Sequence, residues 1–110
     1  MTEKLITNAT DATYGEIVEK SELPVCFIVG APWCQDCRRI APLVNEFARR
    51  YAGRVLFAYA YFDENPSIKA RFEVQHIPSI FIIKKGVIED RLIEPKAIAP
   101  FRDFIESHLK

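Results

Sequence analysis

Cys34 and Cys37 are separated only by Gln35 and Asp36, and two thiols at that spacing can serve as nucleophile and disulfide partner within one site. Upstream, Pro24 to Gly30 contains the apolar run Val25-Cys26-Phe27-Ile28-Val29, which reads as a short buried strand. Downstream, Cys37, Ile40, Ala41, Val44, Phe47, Ala48 and Tyr51 recur every three to four positions, predicting a helix from about Cys34 to Ala52 with one apolar face. The first cysteine therefore falls where strand gives way to helix. Unpaired N–H groups and the helix dipole favour an anion at such a place, so the Cys34 thiol is expected to ionise more readily than a free thiol. The thiolate is the form that attacks a disulfide.

Cys37 lies one turn further in, on the apolar side, with its sulfur directed back toward Cys34 but shielded from solvent. The expected roles follow from that asymmetry. Cys34 is the exposed attacking thiol that forms a mixed disulfide, and Cys37 resolves it. A purely structural disulfide closing so short a loop would add little loop entropy. Zinc normally takes four ligands, and with no second Cys-x-x-Cys a metal would have to recruit His76 or a second subunit, so neither metal nor cofactor is expected beyond the dithiol. The third cysteine, Cys26, sits inside the apolar run and reads as a small buried hydrophobe.

The rest of the chain supplies elements that would hold this site. Leu5-Ile6 reads as a short strand, and Asp11 to Ser21 as a helix placing Tyr14, Ile17 and Val18 on one side, capped by Thr10 or Asp11. Pro42 falls inside the long helix, where it removes a hydrogen bond at Arg38 and should kink the axis. Val55 to Phe62 alternates large and small residues as a central strand would, and Asn65-Pro66 opens a short helix ending near Phe72. Ser79 to Lys84, the turn Lys85-Gly86 and Val87 to Ile93 form a predicted hairpin, followed by a helix from Ala97 to Leu109. Strand and helix alternate, then a hairpin and a helix follow, which predicts a mixed sheet with helices on both faces.

With 110 residues, 49% of them hydrophobic, the chain can bury one core, and the scattered Pro and Gly residues mark no linker, so residues 1–110 are expected to form a single domain. Formal net charge is zero and no basic patch accompanies the aromatic residues, which gives nucleic-acid binding no electrostatic support. The stretch Met1 to Thr13 is polar with both charge signs, and no apolar run is long enough for a signal peptide core or a membrane span. A cytoplasmic location is the expectation.

These motifs, in this order, make the chain resemble the thioredoxin family from the first strand to the last helix. Ala31-Pro32-Trp33-Cys34-Gln35-Asp36-Cys37 is similar to the family's Ala-x-Trp-Cys-Gly-Pro-Cys, Ala41-Pro42 to its kinked active-site helix, and Asp63-Glu64-Asn65-Pro66 to its strand exit. Ile77-Pro78-Ser79 resembles Ile-Pro-Thr, and Lys84-Lys85-Gly86 its Lys-Asn-Gly turn. The resemblance implies the α/β thioredoxin fold and a thiol-disulfide oxidoreductase, monomeric, that reduces protein or small-molecule disulfides and is recycled by a thioredoxin-reductase-like donor. It implies a cis bond before Pro78, which would pack against the two cysteines, and an Ile77 backbone free to pair with an extended substrate. Pro32, Trp33, Ile77 and Pro78 would then form a small exposed apolar patch around Cys34.

Departures from the family pattern are specific. Its members usually carry a buried Asp before the motif and a Lys on the next strand, which move the second cysteine's proton; Ile28 and Tyr59 stand there in this chain. Losing both partners avoids the cost of about 3–5 kcal/mol for one uncompensated buried charge. Asp36 becomes the nearest candidate base for Cys37, or a first-turn acid that complements the helix dipole. Gln35 and Asp36 replace the usual Gly-Pro pair and so alter the turn. His76 stands where Gly is frequent and would tune Cys34 or touch substrate, while Glu94 replaces a groove Gly and would narrow access. His108 in the last turn reads as a solvated residue favourable to the helix dipole. The alternative to a general reductase is a dedicated binding module in which Ile28, Tyr59, His76 and Glu94 serve one partner.

Overall fold

The protein, seen here in a computed structural model that describes residues 5–109, is built on a five-stranded mixed sheet. Its strands are β1 (Ile6–Asn8), β2 (Val25–Gly30), β3 (Leu56–Tyr61), β4 (Ser79–Lys84) and β5 (Val87–Ile93), in the spatial order β1-β3-β2-β4-β5. β1 and β2 pair parallel with β3, while β4 runs antiparallel to β2 and β5 antiparallel to β4. The helices are α1 (Gln35–Arg50), α2 (Pro66–Arg71) and α3 (Ile98–Leu109). The α/β architecture and most element boundaries agree with the sequence expectations to within two residues; Met1–Lys4 of the polar N-terminal stretch lie outside the described residues.

Both faces of the central strands are covered, which is why β2 and β4 read as continuous apolar runs. Cys26, Ile28, Phe57, Tyr59, Ile80 and Ile82 pack with Ile40, Val44 and Phe47 of α1 and Phe101 and Ile105 of α3. On the opposite face Val25, Phe27, Val29, Phe81 and Ile83 pack with Ile68 of α2 and with Tyr14, Val18, Phe72 and Val74. The large-small alternation of β3 follows from this division, because Ala58 and Ala60 leave room for the ring cluster of Tyr14, Phe27, Phe72 and Phe81. Cys26 is fully buried, and burial pushes its thiol pKa up. Lys85 and Gly86, at φ of 51° and 80°, make the tight turn between β4 and β5.

The expected helix over Asp11–Ser21 is shorter and wider than predicted. A π-helix spans Gly15–Glu19, closed by Lys20 N–H donating to Gly15 C=O at 3.1 Å and preceded by Tyr14 N–H donating to Thr10 C=O at 2.8 Å, with Tyr14 and Val18 buried on one side as expected. Thr10 and Thr13 exchange side-chain and backbone bonds with each other at 2.9 and 3.2 Å. Asp11 caps a different helix: its carboxylate accepts from Ser67 N–H at 3.0 Å and Ile68 N–H at 2.9 Å, at the start of α2. His108 also departs from expectation, lying 2.8 Å from Asp90 of β5.

Candidate active site

Val25–Gly30 delivers the chain to the C-terminal edge of the sheet, and Ala31–Trp33 turns it into α1. Cys34 is the N-cap of that helix, with extended backbone, and its sulfur accepts the Cys37 N–H at 3.2 Å. The same thiol donates to the Ile77 carbonyl at 3.7 Å. α1 therefore positions both sulfurs, and the loop before β4 closes over them. Pro42 lies inside α1, leaving the Arg38 carbonyl without an amide donor one turn before it.

The expected contrast in exposure between the two sulfurs is absent: Cys34 is 8% and Cys37 6% exposed. Ile77, itself 9% exposed, packs in one apolar cluster with both cysteines and with Ala31. Electrostatics acts on the second of them. Burial first, then a hydrogen bond with Cys34 and the negative charges of Cys34 and Asp36, push the Cys37 thiol up to about 12, with a backbone bond to Ala31 opposing them. The three cysteines are free thiols.

The peptide bond between Ile77 and Pro78 is cis. Pro78 lies beside Cys37, lining with Ile28, Ile40, Val44 and Tyr59 a narrow apolar space under the helix. Its carbonyl accepts the Glu94 N–H at 2.7 Å, which ties the proline loop to the end of β5. The apolar patch is smaller than expected, because Ile77 and Pro78 are buried and only Pro32 and Trp33 are exposed. Trp33 is not loose: its Nε1–H donates to Asp63 Oδ2 at 2.5 Å.

A chain of charges borders the site. His76 Nδ1 is 3.5 Å from Glu94, Glu94 is 3.3 Å from Lys96, Lys96 is 3.6 Å from Asp36, and Asp36 accepts from Arg39 at 2.5 Å. Glu94 takes φ of 50°, in the left-handed region that favours glycine, and its carboxylate joins His76 to Lys96. His76 thus pairs with Glu94, and Asp36 is engaged by two cations. Gln35 is exposed at the first helical position, bordering an open groove with Arg38 and Arg39. Lys96 and Asp63 were invisible as site residues in the sequence, since each reaches a partner at least thirty positions away. Among the described residues no group of three His, Cys, Asp or Glu side chains could hold a metal ion, and no helix is long and apolar enough to cross a membrane.

A dithiol at the junction of a central parallel strand and its helix, closed by a proline loop, defines a dithiol-disulfide oxidoreductase of the α/β class. The family model described as thioredoxin matches residues 5–107, and the chain belongs to the thioredoxin family. It is 34% identical over 100 residues to thioredoxin 1 of Synechococcus elongatus, covering 91% of this chain and 94% of that one. Thioredoxin of Haemophilus influenzae is 32% identical over 104 residues, 94% of this chain and 97% of its own. The M-type chloroplastic thioredoxin of Spinacia oleracea is 31% identical over 106 residues, 96% of this chain and 59% of its own. The protein is accordingly an enzyme, a thiol-disulfide oxidoreductase that reduces protein disulfides, and family membership implies disulfide substrates and a reductase-type electron donor.

Proposed function

We propose that Cys34 attacks the substrate disulfide and that Cys37 resolves the mixed disulfide, with electrons returned by a thioredoxin-reductase-like partner. The cap geometry at Cys34 and the burial of Cys37 support this order. Cys34 caps α1 and accepts an amide hydrogen bond that would stabilise its thiolate, whereas Cys37 is held protonated by burial until an acceptor disulfide lies beside it. In the first step the Cys34 thiolate forms a bond to one substrate sulfur and the other leaves as a thiolate. In the second, Cys37 loses its proton, bonds to Cys34 and releases the first substrate sulfur, so two electrons pass to the substrate. Cys37→Ser should therefore accumulate mixed disulfides at Cys34, and trapping by Cys34→Ser instead would reverse the assignment.

Trp33, Ile77, Pro78 and Glu94 form the proposed substrate groove, with the Ile77 backbone pairing an extended segment of the substrate as an added strand would. Gln35, Asp36 and His76 tune it. The charged rim from His76 to Arg39 favours a second reading, a binding module dedicated to one partner with limited general turnover. Insulin reduction separates the two: brisk turbidity supports the general reductase, and its absence with cycling cysteines supports the dedicated module. The protein is proposed to work as a monomer in the cytoplasm, where reductants keep dithiols supplied with electrons. Light scattering and fractionation test those two points.

A further inference from the structure

Gly30, the last residue of β2, has no left-handed backbone to explain it; space explains it. A Cβ built there would lie 2.3 Å from the Tyr59 hydroxyl oxygen and 3.0 Å from the Cys37 sulfur, so both groups converge on the volume that the glycine leaves empty. Tyr59 enters from β3, 7% exposed, with its hydroxyl on the same side of Gly30 as Cys37 Sγ and its ring set edge-on to Tyr61 at 5.3 Å. A cleft of about 90 Å³, bordered by Pro32, Arg38, Ala41 and Tyr61, reaches Cys37 and Tyr59 from outside and has room for water.

We propose that the Tyr59 hydroxyl, seated in the space left by Gly30, is a catalytic hydrogen-bond donor to the Cys37 thiolate during resolution of the mixed disulfide, which rests on the assignment of attack to Cys34. As Cys37 bonds to Cys34, its proton leaves to water in the cleft, and the departing substrate thiolate is protonated from solvent. Tyr59 keeps its own proton throughout and donates to the sulfur whose charge is developing. Burial and the neighbouring Cys37, Tyr61 and Cys34 all raise the pKa of the phenol, so it remains a donor where the thiol ionises. The titratable groups facing Cys37 are Cys34 and Asp36 on its own segment and Tyr59 from β3, with Arg38 and Tyr61 bordering the cleft; Ile28 of β2 and Pro78 before β4 bring none.

The test is stopped-flow reaction of the reduced protein with 5,5′-dithiobis(2-nitrobenzoate), in which Cys34 attack releases the first chromophore and Cys37 resolution the second. Tyr59→Phe should leave the first phase at the wild-type rate, slow the second about tenfold at neutral pH, and move its pH midpoint upward, as loss of a donor to an anion requires. Gly30→Ala, whose new methyl must displace the hydroxyl and crowds the Cys37 sulfur while the tyrosine stays, should also slow the second phase. A wild-type second phase in Tyr59→Phe, or equal slowing of both phases, overturns the proposal. The two serine variants check the underlying assignment separately: Cys37→Ser should keep the first phase at its wild-type rate and lose the second, whereas Cys34→Ser should lose the fast first phase, and a fast first phase in Cys34→Ser would defeat the order of attack whatever Tyr59 does.

Discussion

The Trp33 indole N–H donates to the Asp63 carboxylate at 2.5 Å, joining the residue before the dithiol to the segment that leaves β3. Trp33 is 59% exposed, yet its ring is anchored at its polar edge. An exposed aromatic held in one orientation offers a partner a contact surface at small cost in side-chain entropy.

Because Trp33 is the chain's one tryptophan, its fluorescence reports this contact directly. Asp63→Ala should release the indole, raising its accessibility to acrylamide quenching and red-shifting its emission, while the fold is kept. Unchanged quenching would mean that Asp63 does not hold Trp33 in solution.

Asp36 has two readings from the sequence, a base for Cys37 or a first-turn acid that complements the helix dipole. As the base for Cys37 it would make Asp36→Asn slow resolution, but its carboxylate is engaged by Arg39 and Lys96, and its charge is among the factors that hold the Cys37 thiol up. Removing that charge should instead speed resolution by a few-fold at neutral pH. A slower second phase in the stopped-flow assay would restore Asp36 as the base.

Asp11 supplies the cap that α2 lacks from its own N-cap residue, Asn65. Asp11→Ala should cost about 1 kcal/mol of stability in urea unfolding, and Asp11→Asn less, since an amide oxygen can still accept one of the two bonds. A midpoint equal to wild type for the alanine variant would show that water satisfies those amides equally well.

The corrections at Asp11 and at the two cysteines share a cause. Periodicity in Val25–Val29 and Cys37–Tyr51 reports which face of an element is covered, so the strands, α1 and the dithiol's place between them were legible. Asp11 reads as a local cap because its partners, Ser67 and Ile68, become neighbours only once β1, β3 and α2 are assembled. The near-equal burial of Cys34 and Cys37 goes with Ile77, packed in one cluster with both from a loop at least forty positions away. Tyr59 and Gly30 were each readable as strand residues, but their complementarity is a matter of shared volume, which spacing along the chain does not encode.

Alkaline stability should depend on redox state. Cys37 has its pKa raised from 9.0 to about 12 in the folded reduced protein, and Cys26 is raised in the same direction by complete burial. Above about pH 9 the unfolded chain releases protons that the folded chain retains, so the unfolded state binds fewer protons and folding stability falls as pH rises toward the folded values. Cys26 exerts this effect in both redox forms, whereas Cys37 exerts it only while it is a thiol. Urea midpoints measured at several pH values between about 8 and 11 should therefore fall more steeply for the reduced protein than for the Cys34–Cys37 disulfide form, and Cys26→Ala should flatten both curves. Parallel curves for the two redox forms would mean that Cys37 ionises as easily in the folded protein as in the unfolded chain, so that burial would not hold it protonated before the second step.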